Sequence, residues 1–147
     1  MDMTVEPIAP HDHLACVTTI QRFAVLVDAG RYEEAADLFA SDGVMQRPQE
    51  CIEGRQALLT SFLARPSHRM TRHIITNVVL EPIGPDRIRA FSYASVYRHL
   101  GAPRVPLALP VTARPPETIA EYSDELSRQD GKWRIWRRTV RPVFDTP

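Results

Sequence analysis

The stretch MTRHIITNVVLEPIGPDRIRAFSYASVYRH, residues 70–99, decides the fold class. Apolar and polar residues alternate with period two on both sides of Gly84-Pro85-Asp86, as in two β-strands joined by a tight turn. Met70–Ile83 reads as one long strand, with His73, Ile75, Asn77 and Val79 on one face and Ile74, Val78 and Leu80 on the other. Arg87–His99 is its expected hairpin partner. Two further strands follow, Thr118–Arg128 and Trp133–Val140, with Asp130-Gly131 at the tip of the turn between them. The segment 100–117 carries Pro103, Pro106, Pro110, Pro115 and Pro116, and reads as a long loop over the sheet, either a lid or a partner contact.

Upstream of residue 70 the period changes to that of helices. Asp12 is placed to cap a first helix whose apolar stripe runs Val17, Ile20, Ala24, with Gly30 placed to end it. Tyr32, Ala35, Ala36 and Phe39 share one face of a second, short helix, which Asp42-Gly43 closes with a turn. Val44–Arg47 is a short strand, and Arg55–Leu63 a third helix that Pro66 prevents from continuing. Helices first and long sequential strands after them give an α+β fold with a twisted, largely antiparallel sheet, and a pocket between helices and sheet. Residues 1–11 are expected to be a flexible lead, and 12–143 a single domain.

Composition narrows the function. The chain has 147 residues, 44% hydrophobic and 24% charged, enough for one domain with its own core. Eighteen basic residues balance eighteen acidic ones, so no overall field favours nucleic acid or an anionic membrane. Only Lys132 among the bases is lysine; the rest are arginine. The N-terminus lacks the layout of a signal peptide, and no apolar run approaches a membrane span, which predicts a soluble cytoplasmic protein. Cys16 and Cys51 do not make a disulfide framework, and neither has an activating neighbour in sequence. CxxC, HExxH, GxGxxG, Walker A and GxSxG motifs are all missing, and the pair His11 and His13 sits in a proline-flanked N-terminal segment that reads as a loose arm, not a ligand set. No metal or cofactor is expected. Chemistry must come from side chains gathered in a pocket.

Asp28 is the first candidate. It prolongs the apolar stripe of the first helix, four positions after Ala24, and it lies in the last turn, where the helix dipole disfavours a carboxylate. Burial and dipole are both expected to raise its pKa. His73 is the second, an imidazole among apolar neighbours in a central strand. Together they could form a pair in which the carboxylate fixes the ring tautomer and the other nitrogen moves a proton. The alternative is a buried, hydrogen-bonded structural pair. Tyr122, Tyr93 and Asn77 are candidate substrate contacts, with Tyr97 a further strand tyrosine. Tyr122 and Asp124 should share a face with Ala120, and Trp133 and Ile135 should point into the core. Arg137, Arg138 and Arg141 read as solvent-facing or dimer-pairing, with a substrate-anion contact as the minor option.

Six segments in order resemble a known family: VDAGRY (27–32), LFASDGV (38–44), GRQAL (54–58), TRHIITN (71–77), YSDEL (122–126) and DGKWRI (130–135). Over about residues 13–141 the chain is similar to the SnoaL-like branch of the nuclear transport factor 2-like superfamily. The resemblance implies a cystatin-like cone, a curved sheet wrapped by three N-terminal helices, usually as a homodimer. Within the superfamily the site pattern resembles that of scytalone dehydratase, which has an aspartate at the end of the first helix and a histidine in a motif like Thr71-Arg72-His73. Asp28 and His73 fall on those positions; Val27 stands where that family has a tyrosine. Steroid isomerases share the fold, but their base and oxyanion tyrosine fall on Arg47 and Phe23, which cannot do that chemistry. The reading that follows is a cofactor-free lyase or isomerase, dehydratase- or cyclase-like, acting on a small cyclic or aromatic carbonyl compound. The alternative is a non-catalytic ligand-binding or β-subunit-like module of the same fold.

Overall fold

Three helices and a six-stranded sheet form the chain in a computed structural model that describes residues 7–112 and 115–145. The order is α1 (Pro10–Asp28), α2 (Tyr32–Asp37), β1 (Phe39–Arg47), β2 (Glu50–Glu53), α3 (Arg55–Leu63), β3 (Arg69–Gly84), β4 (Arg87–Leu100), β5 (Thr118–Gln129) and β6 (Lys132–Asp145). Strands are ordered β2-β1-β6-β5-β4-β3. Every pairing is antiparallel except β1 with β6, which is parallel. The α+β class and the three N-terminal helices are as the sequence pattern predicts.

The core lies between α1 and the sheet. Cys16, Ile20, Phe23 and Val27 of α1 are buried against Phe39, Met45, Leu126 and Ile135, with Leu58 and Phe62 of α3 closing one end. Each large apolar side chain sealed this way stabilises the fold by about 1.5–3 kcal/mol. Phe23 meets Phe39 and Phe62 edge-on, with centroids 5.5 and 5.8 Å apart.

Local differences from the sequence pattern have identifiable causes. Helix α1 begins at Pro10, whose fixed φ and missing N–H suit a first turn, so Asp12 is not its cap. Asp12 instead accepts from Trp133 Nε1 at 2.8 Å and from Arg128 Nη1 at 3.1 Å, tying α1 to the β5–β6 turn. Of the expected lead, residues 1–6 lie outside the described residues, while Pro10 and His11 are helical; His13, read as part of a loose arm, is helical too. Phe39 is not helical: it opens β1 and pairs with Ile135. Asp42-Gly43 is not a terminating turn but part of β1, where the register shifts between Phe39 and Val44. A Cβ at Gly43 would stand 2.9 Å from the Ala40 carbonyl, so the kink requires glycine. Strand β2 has no counterpart in the sequence reading; it folds back on β1 with Arg47 opposite Glu50. The Asp130-Gly131 turn forms as expected, with both residues at positive φ (50° and 74°). Leu109, Pro110 and Val111 of the proline-rich segment line a hollow together with Met70, Tyr97 and His99.

Candidate active site

Helix α1 ends in a way that aims Asp28. Gly30, at φ 71°, donates to the Val27 carbonyl at 3.1 Å, and Arg31 donates to the Leu26 carbonyl at 2.9 Å. This Schellman arrangement satisfies the last helical carbonyls and leaves Asp28 as the final helical residue, facing β3. On β3, Thr71, His73 and Ile75 alternate onto the inner face. Three donors from that strand converge on one carboxylate. Thr71 Oγ1 donates to Asp28 Oδ1 at 2.8 Å, the His73 backbone N–H to Oδ2 at 2.7 Å, and His73 Nδ1 lies 2.6 Å from Oδ1.

Burial pushes the Asp28 carboxyl up, but the side-chain and backbone hydrogen bonds of His73, the charge of its ring and the Thr71 hydroxyl outweigh it, so the net shift is downward. The expectation of a raised pKa is therefore corrected: the sequence shows the helix end but not the donors opposite it. An ionised carboxylate can only accept, so Nδ1 carries a proton towards Asp28 and Nε2 is the nitrogen left to exchange one. Nε2 has no protein partner among the described residues, and His73 lines a cavity of about 430 Å³. A lowered carboxyl pKa also fixes a stability window. Asp28 stabilises the fold fully above its unfolded value of 3.8, and that contribution is lost as pH falls through its lower folded value. In thermal unfolding followed by circular dichroism, the gap in Tm between the native chain and Asp28→Asn should be constant near neutrality and shrink below about pH 4.

Arg138 is the residue that sequence reasoning placed on the wrong side. It is 1% exposed, not solvent-facing. Its Nε and Nη2 each donate to Asp124 at 2.7 Å, and its guanidinium lies between the rings of Phe23 and Tyr122, 4.8 and 4.5 Å from their centroids. Burial alone would lower its pKa, but Asp124 more than offsets this and the group stays charged. Nη1 is buried, has no partner among the described residues, and belongs to a side chain lining the cavity. A buried donor without a partner costs about 1–3 kcal/mol, so this N–H is suited to an oxygen that the fold itself does not supply.

Tyr122 lines the same cavity, as its sequence position suggested, and burial pushes its phenol pKa up, so it remains protonated. Two other candidates are not brought in. Tyr93 faces away from the cavity, because β4 buries Ala90, Ser92, Ala94 and Val96; its ring packs edge-on against Phe91. Asn77 is exposed at φ 55°, in an irregularity between Thr76 and Val79 that turns Val78 inward in its place. Tyr97 is also exposed, Arg137 faces outward, and Arg141 pairs with Glu121. Arg47 and Phe23 both line the cavity. Cys16 is fully buried, which pushes its thiol up to about 12 and leaves it unreactive. Among the described residues no group of three His, Cys, Asp or Glu side chains could hold a metal ion, and no helix is long and apolar enough to cross a membrane.

Comparisons with known proteins agree with this architecture. A candidate scytalone dehydratase from Novosphingobium aromaticivorans superposes with a TM-score of 0.78 at 20% identity, covering 92% of this chain and 87% of that one. A Mycobacterium tuberculosis protein of unknown function gives 0.76 at 26% identity, over 90% of this chain and 77% of the other. A cystatin-like protein of unknown function from Nostoc punctiforme gives 0.75 at 23% identity, over 95% and 96%. No curated protein matches in sequence. The model of the SnoaL-like domain matches residues 10–139, nearly the whole described fold. The chain therefore belongs to the SnoaL-like family, with the nuclear transport factor 2-like, cystatin-like fold.

Proposed function

We propose that the chain is a cofactor-free lyase or isomerase that moves a proton next to the carbonyl of a small cyclic or aromatic substrate. The reading is carried by one observation: His73 is locked through Nδ1 to an ionised Asp28, its Nε2 has no protein partner among the described residues, and its side chain lines a cavity together with Arg138, whose buried Nη1 is also without a partner. Nε2 takes a proton from the carbon α to the carbonyl. The C–H electron pair forms the enolate, whose oxygen accepts from Arg138 Nη1, with the neutral Tyr122 phenol on the same wall. Asp28 balances the imidazolium. In a dehydration the enolate then expels a β-hydroxyl group, which takes the proton back from Nε2 and leaves as water. In an isomerisation the proton returns to a different carbon instead. Either way the ring ends neutral. The scytalone dehydratase likeness supports the same chemistry. A β-subunit-like module is less well supported, because the space between helices and sheet is open rather than filled by side chains.

The test is turnover of small cyclic β-hydroxyketones, followed by the absorbance of the enone formed. The native chain should dehydrate at least one of them, and His73→Ala should lose about 10²–10⁴-fold of that rate with an unchanged circular dichroism spectrum. A folded His73→Ala protein with native turnover would end the proposal.

A further inference from the structure

A chain with no net charge places five arginines around one cavity: Arg47, Arg65, Arg69, Arg98 and Arg138. Three have carboxylate partners. Arg138 is bound by Asp124, Arg98 lies 2.7 Å from Glu117, and Arg47 lies 3.3 Å from Glu50. Arg65 and Arg69 have no carboxylate partner among the described residues. Asp28 is near in the fold, but its oxygens are taken by His73 and Thr71.

Both side chains are half-buried, Arg65 in the connection from α3 to β3 and Arg69 at the first position of β3, four positions apart. Arg65 leans over the ring of Phe62, 5.5 Å from its centroid. Burial, together with the charges of Arg69 and Arg47, lowers Arg65 to about 10. Arg69 is lowered as well, by burial first and then by Arg98. Two partly desolvated cations facing one hollow repel each other; Glu117, already bound to Arg98, offsets this only in part at Arg69, and no carboxylate does so at Arg65. An anion bound there would relieve both terms.

We infer that the cavity takes an organic carboxylate, held between Arg65 and Arg69 while its reactive carbonyl lies at His73 and Arg138. The placement of the carbonyl rests on the function proposed above; the anion site does not. A carboxylate suits the planar donor forks of two guanidiniums, and Val27, Val96, Ala120 and Val140 offer apolar wall to the body of such a molecule. The substrate class narrows to small cyclic or aromatic keto acids or hydroxy acids.

The probe is benzoate, with benzamide as its neutral counterpart of the same shape, titrated into the full chain in a calorimeter. Benzoate should bind at least about tenfold more tightly than benzamide, and its affinity should fall as sodium chloride is raised. Arg65→Gln and Arg69→Gln should each weaken benzoate about tenfold and leave benzamide unchanged. Arg65→Lys, which keeps the charge but loses the planar fork, should weaken benzoate less than Arg65→Gln does. Equal binding of the two probes, no saturable binding of benzoate, or equal losses in the Lys and Gln variants would overturn the inference. Tighter binding of inorganic phosphate than of benzoate would overturn the carboxylate class. Heat is read rather than turnover, so the result stands whether or not His73→Ala abolishes catalysis.

Discussion

Replacing Asp124 by Ala should cost about 3–5 kcal/mol of folding stability, seen as a lower urea midpoint with an unchanged slope. Asp124 and Arg138 are each 1% exposed, and the carboxylate accepts both parallel guanidinium bonds. Removing it leaves a full positive charge in the core with only the ring faces of Phe23 and Tyr122 for company, and Nη1 is already without a partner. Cation–π attraction of about 2 kcal/mol at a desolvated site does not replace a buried counter-ion. The double variant Asp124→Leu, Arg138→Met should recover most of the loss, because a buried ion pair exchanged for apolar groups of similar volume is often neutral. That recovery would be informative about purpose. If an apolar pair serves stability as well, the ion pair is there for the charged donor that Arg138 places beside the cavity, and the double variant should be folded and inactive. A cost below about 1 kcal/mol for Asp124→Ala would show that water reaches Arg138 and that the pair is not sealed.

How much of this was legible beforehand depends on parity. Where a strand is regular, counting by two works: Ala120, Tyr122, Asp124 and Leu126 share the inner face of β5 as the alternation requires. Where a strand slips by one residue, every later assignment inverts. Counting from Trp133 and Ile135 puts residue 137 inside, but the β5–β6 register shifts between Glu125 and Leu126, and residue 138 is buried instead. The clue lay across the sheet: a carboxylate on the inner face of β5 calls for a cation opposite, and Arg138 is the residue paired with Asp124. The same slip at Asn77 exchanged an expected substrate contact for Val78. Phe39 has helical spacing from Ala35 and Ala36, and only its tertiary pairing with Ile135 makes it a strand residue. Arg65 and Arg69 sit in and beside a connection with no period to read, so only the fold shows that they face the site. Asp28 and His73 were legible because both lie in regular stretches, a helical stripe and the first half of β3.

For Asp28→Asn, turnover should fall by about 10³–10⁴-fold while the fold survives. Asparagine is nearly the same shape, and its carbonyl oxygen can still accept from the His73 backbone N–H, which holds Oδ2 at 2.7 Å in the native chain. Its NH₂ group then occupies the place of Oδ1, 2.6 Å from His73 Nδ1. A donor there turns Nδ1 into an acceptor and moves the ring proton to Nε2, the atom that has to take a proton from substrate. The charge that would balance the imidazolium is lost at the same time. Both effects act on the proton-transfer step more than on binding, so kcat should carry the loss and KM should change little. Nitrogen chemical shifts of His73 separate this from general damage: the native ring should carry its proton on Nδ1 at neutral pH, and the variant ring on Nε2. A loss of less than about tenfold, or a variant ring still protonated on Nδ1, would mean that Asp28 only braces β3 against the end of α1, and that the proton comes and goes by another group.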